Sequence, residues 1–403
     1  MSKTTRLSFP VNLLTLSLLS SLMLGCSKDE PPPASTTTAK PRIAVKIGHV
    51  APMTGPQAHQ GADNRNGALM AIEEINAAKP EIGGAEITFV LMAEDDQADP
   101  KQGTVVAQKL VDEGVSGVIG HLNSGTTLPA SRIYFDAGIP QISGSATNPA
   151  YTQQGYATAF RVMTNDVQQG KALGVFAGQQ GFKTVALVDD RTAYGQGLVD
   201  EFRKSAEANG IKVLTAEFTT DKSTDFKAIL TKIKAQKPDL VFFGGMDAQG
   251  GPLLKQMREL GLKSKFLGGD GVCTPEFINL AGGAAEGEFC SQPGTPINKL
   301  EKGRAFLEKY LRSFGIPVQN YAPYVYDAVY VMVDAMKRAN STQPSKYLPE
   351  IGKTRLEGVT ATIEFDAKGD LKNTAVSLYR YRADKLEHVT TVGGNTPSGA
   401  QGK

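Results

Sequence analysis

Three short groups of residues in this chain carry side chains and backbone donors that could bind a small charged molecule. Ser124, Gly125 and Thr126 combine two hydroxyl groups with successive N–H groups. At the start of a helix such donors bind an anion, and the helix dipole adds to the attraction. A carboxylate suits this site, because a phosphate usually recruits an Arg, a Lys or a longer glycine loop, and none is present. An ordinary helix cap built from Ser and Thr is equally compatible with the spacing.

The other two groups supply an acid and an aromatic hydroxyl. Asp270 lies between Gly269 and Gly271, on a tight turn from which its carboxylate could face a cation such as an ammonium group. Tyr194 precedes Gly195 and could donate its hydroxyl to a ligand or stack on it. An acid on a surface turn and a packing tyrosine are the plainer interpretations, and the sequence leaves both open.

No catalytic arrangement competes with binding. The chain has no G-x-S-x-G elbow, no H-E-x-x-H, no P-loop and no C-x-x-C. Its four His and three Cys residues stand apart, so no metal site or other cofactor is predicted. The balance of 43 Lys and Arg against 41 Asp and Glu argues against a nucleic-acid-binding protein. We therefore expect a binding protein and not an enzyme.

Strands and helices alternate from Ile43 onward, in two series of which the second begins near Thr164. This alternation implies right-handed crossovers and parallel sheets, which bind ligands beyond the carboxyl ends of their strands. With 403 residues, the chain is long for one core, so we predict an α/β fold of two doubly wound parallel-sheet lobes. The predicted strands are 43–49, 86–92, 117–120, 139–143, 184–189, 212–218, 240–244, 266–268 and 360–365, with a hairpin over 376–389. The predicted helices are 66–77, 100–113, 126–136, 166–180, 195–209, 225–235, 248–260, 302–314 and 324–339. Asp99 is placed to cap the second of these helices, and Pro100 suits its first turn.

The N-terminus has the features of an export signal. Two basic residues precede an apolar stretch of secretory length, and the residues before Cys26 resemble the lipobox of bacterial lipoproteins, which implies a lipid on that cysteine. An uncleaved membrane anchor is the alternative, but Pro10 and several Ser and Thr residues make a poor spanning helix. We expect a signal peptide over 1–25 and a flexible tether over 26–42. The mature protein would then be anchored to a membrane in the periplasm.

Export also bears on the two remaining cysteines. Cys273 and Cys290 would meet an oxidising compartment, so we expect a disulfide between them. Closing a loop of that length stabilises a fold by roughly 3 kcal/mol in the chain-entropy model. Two independent buried thiols are the alternative.

Taken together, the strand-end loops resemble those of the leucine/isoleucine/valine-binding proteins, periplasmic receptors of ABC importers with the type I periplasmic binding protein fold. The resemblance runs over about residues 42–389. It is most specific in VIGHLNSGTTLPAS (118–131), DDRTAYGQGL (189–198), VFFGGMDAQGGPLLKQMRELGL (241–262) and EFDAKGDLKN (364–373). It implies a monomer that holds an amino acid between two lobes and delivers it to the membrane permease subunits of an importer.

The resemblance assigns roles to the residues of these loops. Ser/Thr loops of lobe one hold the ligand's carboxylate in this family, which gives that role to Ser124 and Thr147. In the family, the ligand's ammonium group is held by a backbone carbonyl and a hydroxyl of the loop after the fourth strand, here Ser145 and Thr147, and by an acid of the second lobe. That acid falls at Asp270, where the family more often has Glu, and Tyr194 matches a tyrosine that closes over the ligand. The other implied binding positions are Leu122, Asn123, Ala146, Gln60, Met246 and Tyr321.

The pocket for the ligand's side chain departs from the family pattern. Gln60 and Met246 stand where relatives have Tyr, and Tyr321 replaces a Phe, so the pocket could accept something longer or more polar than Leu, Ile or Val. A branched-chain amino acid remains the first expectation. The same fold binding an aliphatic amide, an aromatic acid or another small organic ligand is one alternative. A non-transport envelope lipoprotein that serves as an interaction module is the other.

The resemblance also implies three crossover strands and hence the domain boundaries. The expected lobe one comprises residues 43–162 plus 292–372, and the expected lobe two comprises 163–291 plus 373–391. Residues 392–403 are expected to form a flexible tail.

Overall fold

The computed structural model describes residues 40–394. The expected signal peptide, the expected lipidation site Cys26 and nearly all of the expected tether lie outside the described residues, as do the last nine residues of the chain. No helix within the described range is long and apolar enough to cross a membrane.

Strands and helices alternate through most of this range. The strands are β1 (Arg42–Ala51), β2 (Glu81–Ile82), β3 (Ala85–Asp95), β4 (Val118–Gly120), β5 (Gln141–Ser143), β6 (Ala159–Arg161), β7 (Thr184–Asp189), β8 (Lys212–Phe218), β9 (Leu240–Gly244), β10 (Lys265–Gly268), β11 (Phe289–Pro293), β12 (Leu356–Glu357), β13 (Thr362–Ile363), β14 (Ala375–Arg382) and β15 (Lys385–Gly393). The helices are α1 (Ala58–Ala77), α2 (Pro100–Asp112), α3 (Ser124–Asp136), α4 (Ala150–Gln153), α5 (Asp166–Gln179), α6 (Ala193–Ala208), α7 (Lys227–Gln236), α8 (Asp247–Glu259), α9 (Pro275–Ala281), α10 (Glu301–Phe314), α11 (Ala322–Arg338) and α12 (Pro344–Ile351).

Two sheets organise the fold, and this confirms the predicted α/β class. The first has the order β2-β3-β1-β4-β5-β6 and is parallel except for β2. The second has the order β15-β14-β11-β10-β9-β7-β8 and is parallel except at the hairpin of β14 and β15. The strand order reverses at β1 in the first sheet and at β7 in the second. The loops after these strands therefore border the crevice where such folds bind ligands.

The chain passes between the two sheets more than once. It leaves the first sheet after β6, builds the second through β11, and returns to α10, α11 and α12 before entering the second sheet again at β14. Helix α11 packs against α1, β4 and β5 of the first sheet. Strands β7 and β9, in the interior of the second sheet, are almost entirely buried, as expected from their continuous apolar runs.

Local signals account for several helix starts. Asp99 caps α2, since its carboxylate accepts hydrogen bonds from the N–H groups of Lys101 and Gln102 at 2.8 and 3.1 Å, and Pro100 occupies the first turn. This cap is as predicted. Helix α3, however, begins at Ser124, two residues before the predicted start, and helix α1 begins at Ala58, well before residue 66.

The predicted strand over residues 360–365 is wrong for most of its length. Only Thr362 and Ile363 pair as β13, and Phe365 makes an isolated bridge. The N–H and hydroxyl of Thr360 instead donate to the buried carboxylate of Asp327 at 3.0 and 2.5 Å, so those groups are not available to a strand ladder. At the other end, β15 continues to Gly393, two residues into the expected flexible tail.

The expected disulfide is confirmed. Cys273, in the turn after β10, is bonded to Cys290 of β11, and both residues are fully buried in the apolar core of the second sheet. Strand β11 itself was not predicted, although it lies between β10 and β14 in that sheet.

Candidate functional site

The strand-end loops of the two sheets face each other across a crevice and touch in this structure. Every contact below joins an element of the first sheet's side to one of the second. The contacts are Asn148 Nδ2 to Ala193 O (2.6 Å), Gln60 Nε2 to Gly271 O (3.4 Å), His59 Nε2 to Asp247 Oδ2 (2.8 Å), Asn320 Nδ2 to Asp270 O (3.1 Å) and Tyr321 Oη to Asp270 Oδ2 (2.8 Å). The crevice is therefore closed.

Asp270 lies at the centre of these contacts and not on an exposed turn. It begins the short 3-10 helix after β10 and is fully buried. The hydroxyls of Tyr194 and Tyr321 donate to its two carboxylate oxygens at 2.9 and 2.8 Å. Burial raises the pKa of Asp270, while the hydrogen bonds from Tyr321 and Tyr194 oppose that rise. The sequence-predicted acid and tyrosine are thus directly bonded.

Close backbone packing brings Tyr194 to this position. A Cβ on Gly195 would lie only 2.5 Å from the carbonyl oxygen of Gly244, so the first turn of α6 packs against the end of β9 only if residue 195 is glycine. The Tyr194 hydroxyl then also accepts the N–H of Gly271 at 3.0 Å. These bonds hold the tyrosine ring and the Asp270 turn together.

Tyr321 is held in place by a second buried acid, which lies on α1. Asp63 of α1 accepts hydrogen bonds from the N–H groups of Asn320, Tyr321 and Ala322 at 3.2, 2.9 and 2.9 Å. This carboxylate therefore fixes the turn before α11. The sequence reading treated Tyr321 as a wall of the side-chain pocket, whereas its hydroxyl is bonded to Asp270. Asp63 gave no signal in the sequence, because its partners lie about 250 residues away.

The hydroxyl loops of the first sheet meet at the same crevice. Ser124 is buried and its Oγ accepts the N–H of Asn148 at 3.2 Å, which joins the loops after β4 and β5. The hydroxyls of Ser145 and Thr147 are buried and have no hydrogen-bond partner. A buried hydroxyl without a partner costs free energy unless a ligand or water completes it.

Thr126 does not take part as its sequence position suggested. Its N–H and hydroxyl both donate to the carbonyl oxygen of Asn123, each at 3.1 Å. These bonds follow from the early start of α3, which places Thr126 inside the first turn. The donors that remain available to an anion at this helix are therefore those of the residues before Thr126.

Sequence reasoning missed Asp166. This first residue of α5 is fully buried, and neither of its carboxylate oxygens has a hydrogen-bond partner. Burial raises the pKa of Asp166 to about 8, and the nearby Thr147 hydroxyl opposes that shift without a hydrogen bond of normal geometry. In sequence Asp166 looked like a first-turn acid that only favours the helix dipole. Gln169, one turn later, is also buried without a partner for its amide.

Of the residues assigned to the ligand's side chain, Gln60, Met246 and Tyr321 lie beside the Asp270 turn. Gln60, Leu122 and Met246 are at most 5% exposed, and the sulfur of Met246 lies next to Gly271. Asn123 donates to Gln57 Oε1 at 2.8 Å. A cleft of about 440 Å³ opens on this side, lined among others by Asn123, Tyr194, Met246 and Asp190.

His59 and Asp247 form an ion pair across the crevice. The carboxylate of Asp247 is fully buried and also accepts the Thr274 hydroxyl at 2.6 Å. Burial alone would lower the pKa of His59, but the hydrogen bond and charge of Asp247 outweigh it, so that pKa is raised. Within residues 40–394, no cluster of three or more His, Cys, Asp and Glu side chains could hold a metal ion.

Buried Arg161 supports the loop after β5, which carries Ala146 and Asn148. One guanidinium nitrogen donates to the carbonyl oxygens of Ala146 and Asn148, both at 2.9 Å. The other nitrogens donate to the carboxylate of Asp370 at 2.7 and 2.9 Å. Ala146 thus contributes to the site through its backbone, whose N–H also donates to Ser143 Oγ at 2.9 Å.

A fold of two largely parallel sheets whose strand-end loops meet across a closed crevice is typical of solute-binding proteins. In agreement, the family model described as "Periplasmic binding protein" matches residues 44–385. The chain belongs to this family, which is periplasmic and binds substrates without being a class of enzymes.

Individual relatives are similar over nearly their whole length. A leucine-, isoleucine-, valine-, threonine- and alanine-binding protein of Pseudomonas aeruginosa is 36% identical over 341 residues, which cover 84% of this chain and 90% of the relative. The leucine-binding protein LivK of Thermotoga maritima superposes with a TM-score of 0.80 at 28% identity, over 86% of this chain and 98% of that one. The branched-chain substrate-binding protein LivJ of Streptococcus pneumoniae, solved with isoleucine, gives a TM-score of 0.79 at 28% identity, over 87% and 100%.

Proposed function

We propose that this protein is an extracytoplasmic receptor that captures an α-amino acid and delivers it to the permease of an ABC importer. Amino acids of the branched-chain size class are the first candidates for its ligand. Buried groups of opposite character in one closed crevice carry this proposal. On one side are the hydroxyls of Ser145 and Thr147, which have no hydrogen-bond partner. On the other are the carboxylate of Asp166, which also has no partner, and that of Asp270, which is bonded to two tyrosine hydroxyls and, in the described part of the chain, has no cation beside it. A zwitterion supplies an acceptor for the first set and a cation for the second.

Individual roles follow from this complementarity. Ser124 and Thr147 bind the ligand's carboxylate, and the loop of Ser145 and Ala146 meets its ammonium group. Asp270 is the principal anionic partner of the ammonium group, with Tyr194 closing over the ligand. We add Asp166 as a second acid for the same group. Leu122, Asn123, Gln60, Met246 and Tyr321 surround the side chain.

Closure couples ligand binding to recognition by the permease. A ligand favours the closed form only through contacts that it makes with both lobes at once, and Asp270 and Thr147 lie on opposite sides of the crevice. We propose that residues 43–162 plus 292–372 move against 163–291 plus 373–391 as rigid lobes. We also propose a monomer anchored by a lipid on Cys26 after cleavage of residues 1–25.

A ligand screen tests the proposal. Protein purified without added ligand is first examined by native mass spectrometry for retained cargo, and is then unfolded, dialysed and refolded. Leucine, isoleucine, valine, threonine and alanine are compared with benzoate and acetamide by thermal shift. An amino acid at 100 times its Kd stabilises the folded protein by about 2.7 kcal/mol, so a clear rise in Tm is expected. A rise only with benzoate or acetamide would overturn the amino-acid assignment, and no rise with any compound would overturn the receptor function.

Amino-acid binding is expected to strengthen by about tenfold between pH 6 and pH 8 because of Asp166. With its pKa raised to about 8 by burial, this carboxyl is protonated at pH 6 in the unliganded protein. An ammonium group beside it lowers that pKa, so binding releases a proton and becomes tighter as the pH approaches 8. Calorimetric titrations at pH 6, 7 and 8 measure the effect.

The matched control is Asp166→Asn, which keeps the shape of the side chain and cannot titrate. The His59–Asp247 pair is common to both proteins and works in the opposite direction, since it is strongest below the raised pKa of His59. The difference between the two pH profiles therefore isolates Asp166. Identical profiles would remove Asp166 from the ammonium site.

A further inference from the structure

The side-chain end of the crevice holds a buried amide that is only half satisfied. Gln60 of α1 is fully buried. Its Nε2 donates across the crevice to the carbonyl oxygen of Gly271, at 3.4 Å, while its Oε1 has no hydrogen-bond partner. Because the neighbouring group is a carbonyl oxygen, the nitrogen must point towards it and the oxygen remains as a free acceptor. Gly271 follows Asp270, so this acceptor lies beside the proposed ammonium site.

Two further buried oxygens, next to Met246 and in the cleft that it lines, also have no hydrogen-bond partner. Asp247, which follows Met246, is fully buried and its Oδ1 has no partner. Asp190 lines the cleft and is 1% exposed, and its Oδ2 has no partner. The donors close to them are already used, since His59 is bonded to Asp247 and the Tyr321 hydroxyl to Asp270.

The buried ionisable side chains of the crevice are mainly acids, which agrees with the excess of hydrogen-bond acceptors. Asp166, Asp190, Asp247 and Asp270 are all at most 1% exposed. Among residues 40–394 the one buried Arg or Lys is Arg161, whose guanidinium is committed to Asp370, Thr152 and two loop carbonyls. No buried cation is left to receive an acidic ligand side chain.

From this geometry we propose that the receptor selects an amino acid whose side chain carries a hydrogen-bond donor, which the Oε1 of Gln60 accepts. The inference rests on the proposed amino-acid function and narrows it to a substrate class. Threonine has the size of a branched-chain amino acid and also supplies the donor, because it is β-branched like valine and replaces one methyl group by a hydroxyl. A purely aliphatic side chain would leave the Gln60 oxygen desolvated and unpaired. A site built to hydrogen-bond a polar group of its ligand therefore rejects analogues that lack that group.

Two isosteric ligand pairs test the inference on the ligand-free protein by calorimetric titration. Threonine is expected to bind about tenfold more tightly than valine, which corresponds to about 1.4 kcal/mol. Glutamine, which has an amide donor, is expected to bind more tightly than glutamate, which has only acceptors and adds a negative charge. Neither comparison needs a variant, so both remain valid if a variant fails to fold.

The variant Gln60→Met identifies the residue responsible. Met has a similar length and lacks the acceptor, so the preference for threonine over valine should disappear or reverse. Alanine serves as the internal control, because its side chain is too short to reach Gln60, and its affinity reports any general effect of losing the bond to Gly271.

The outcomes separate this inference from the proposed function. Tighter binding of valine than of threonine in the wild type, or an unchanged threonine-to-valine ratio in Gln60→Met, would overturn the inference and leave an amino-acid receptor. Failure of every amino acid to bind would overturn the proposed function and the inference together.

Discussion

Replacing Asp270 by Asn is expected to weaken amino-acid binding by about 100-fold, which corresponds to about 2.7 kcal/mol. The variant keeps the size of the side chain and an oxygen for Tyr194 or Tyr321, but it removes the negative charge that faces the ligand's ammonium group. Hydrogen bonds to charged groups contribute about 1.5–3 kcal/mol, and the closed crevice screens this one little because Asp270 is fully buried. Calorimetric titration with L-threonine and L-isoleucine measures the loss.

The unliganded variant is expected to be as stable as the wild type. Burial raises the pKa of Asp270, so the carboxylate is costly until a cation arrives, and an amide at that position removes the cost. Thermal unfolding monitored by circular dichroism checks this expectation. Asp136→Asn, at an exposed ion pair with Arg132, is the control and should change neither property. Wild-type affinity in Asp270→Asn would refute the ammonium role of Asp270.

Replacing Arg161 by Met is expected to lower the free energy of unfolding by about 3–5 kcal/mol, as breaking a buried ion pair does. Its guanidinium is fully buried and makes five hydrogen bonds to Asp370, Thr152, Ala146 and Asn148. Without it the Asp370 carboxylate has no cation, and two carbonyls of the ligand-facing loop lose their donor. The same change should therefore weaken amino-acid binding as well. Urea unfolding followed by circular dichroism is suitable, since the chain has no Trp.

Three further variants test whether the pairing itself is responsible. Arg161→Lys keeps the charge without the planar fork and should lose an intermediate amount of stability. The double variant Arg161→Met/Asp370→Leu should lose less than the sum of the single changes, because it leaves no unpaired charge. Arg132→Met removes an exposed pair and should cost at most about 1 kcal/mol. A loss in Arg161→Met no greater than that of the exposed control would refute the structural role.

Much of the fold was predictable because local patterns report on it. The apolar runs of β7 and β9 and the helical periods between them were enough to predict parallel sheets, and Asp99 with Pro100 predicted the start of α2. The export signal implies an oxidising compartment, and this predicted the disulfide between Cys273 and Cys290. The predicted strand over residues 360–365 was wrong because the carboxylate of Asp327, which is distant in sequence, accepts a hydrogen bond from the N–H of Thr360.

The candidate site was predictable in part. Its position at the strand ends follows from the parallel sheets. Asp270 was recognisable as an acid suited to an ammonium group, and Tyr194 as a tyrosine able to donate its hydroxyl to a ligand or stack on it. Asp166 and Arg161 were not, since an acid in a first helical turn and an Arg at the end of a strand are common in any sequence.

By itself, then, the sequence determined most of the alternating strands and helices, their order, and which loops carry hydroxyls and acids. Only the tertiary structure decided that Asp270 is bonded from both sides of the crevice, that Asp63 holds the turn carrying Tyr321, and that the Gln60 oxygen is left free. The reason is physical: spacing along a chain reports which face of a helix or strand is buried. Hydrogen-bond partners 51 and 259 residues apart, as for Asp270 with Tyr321 and Asp63 with Ala322, are brought together only when the elements that carry them pack against each other.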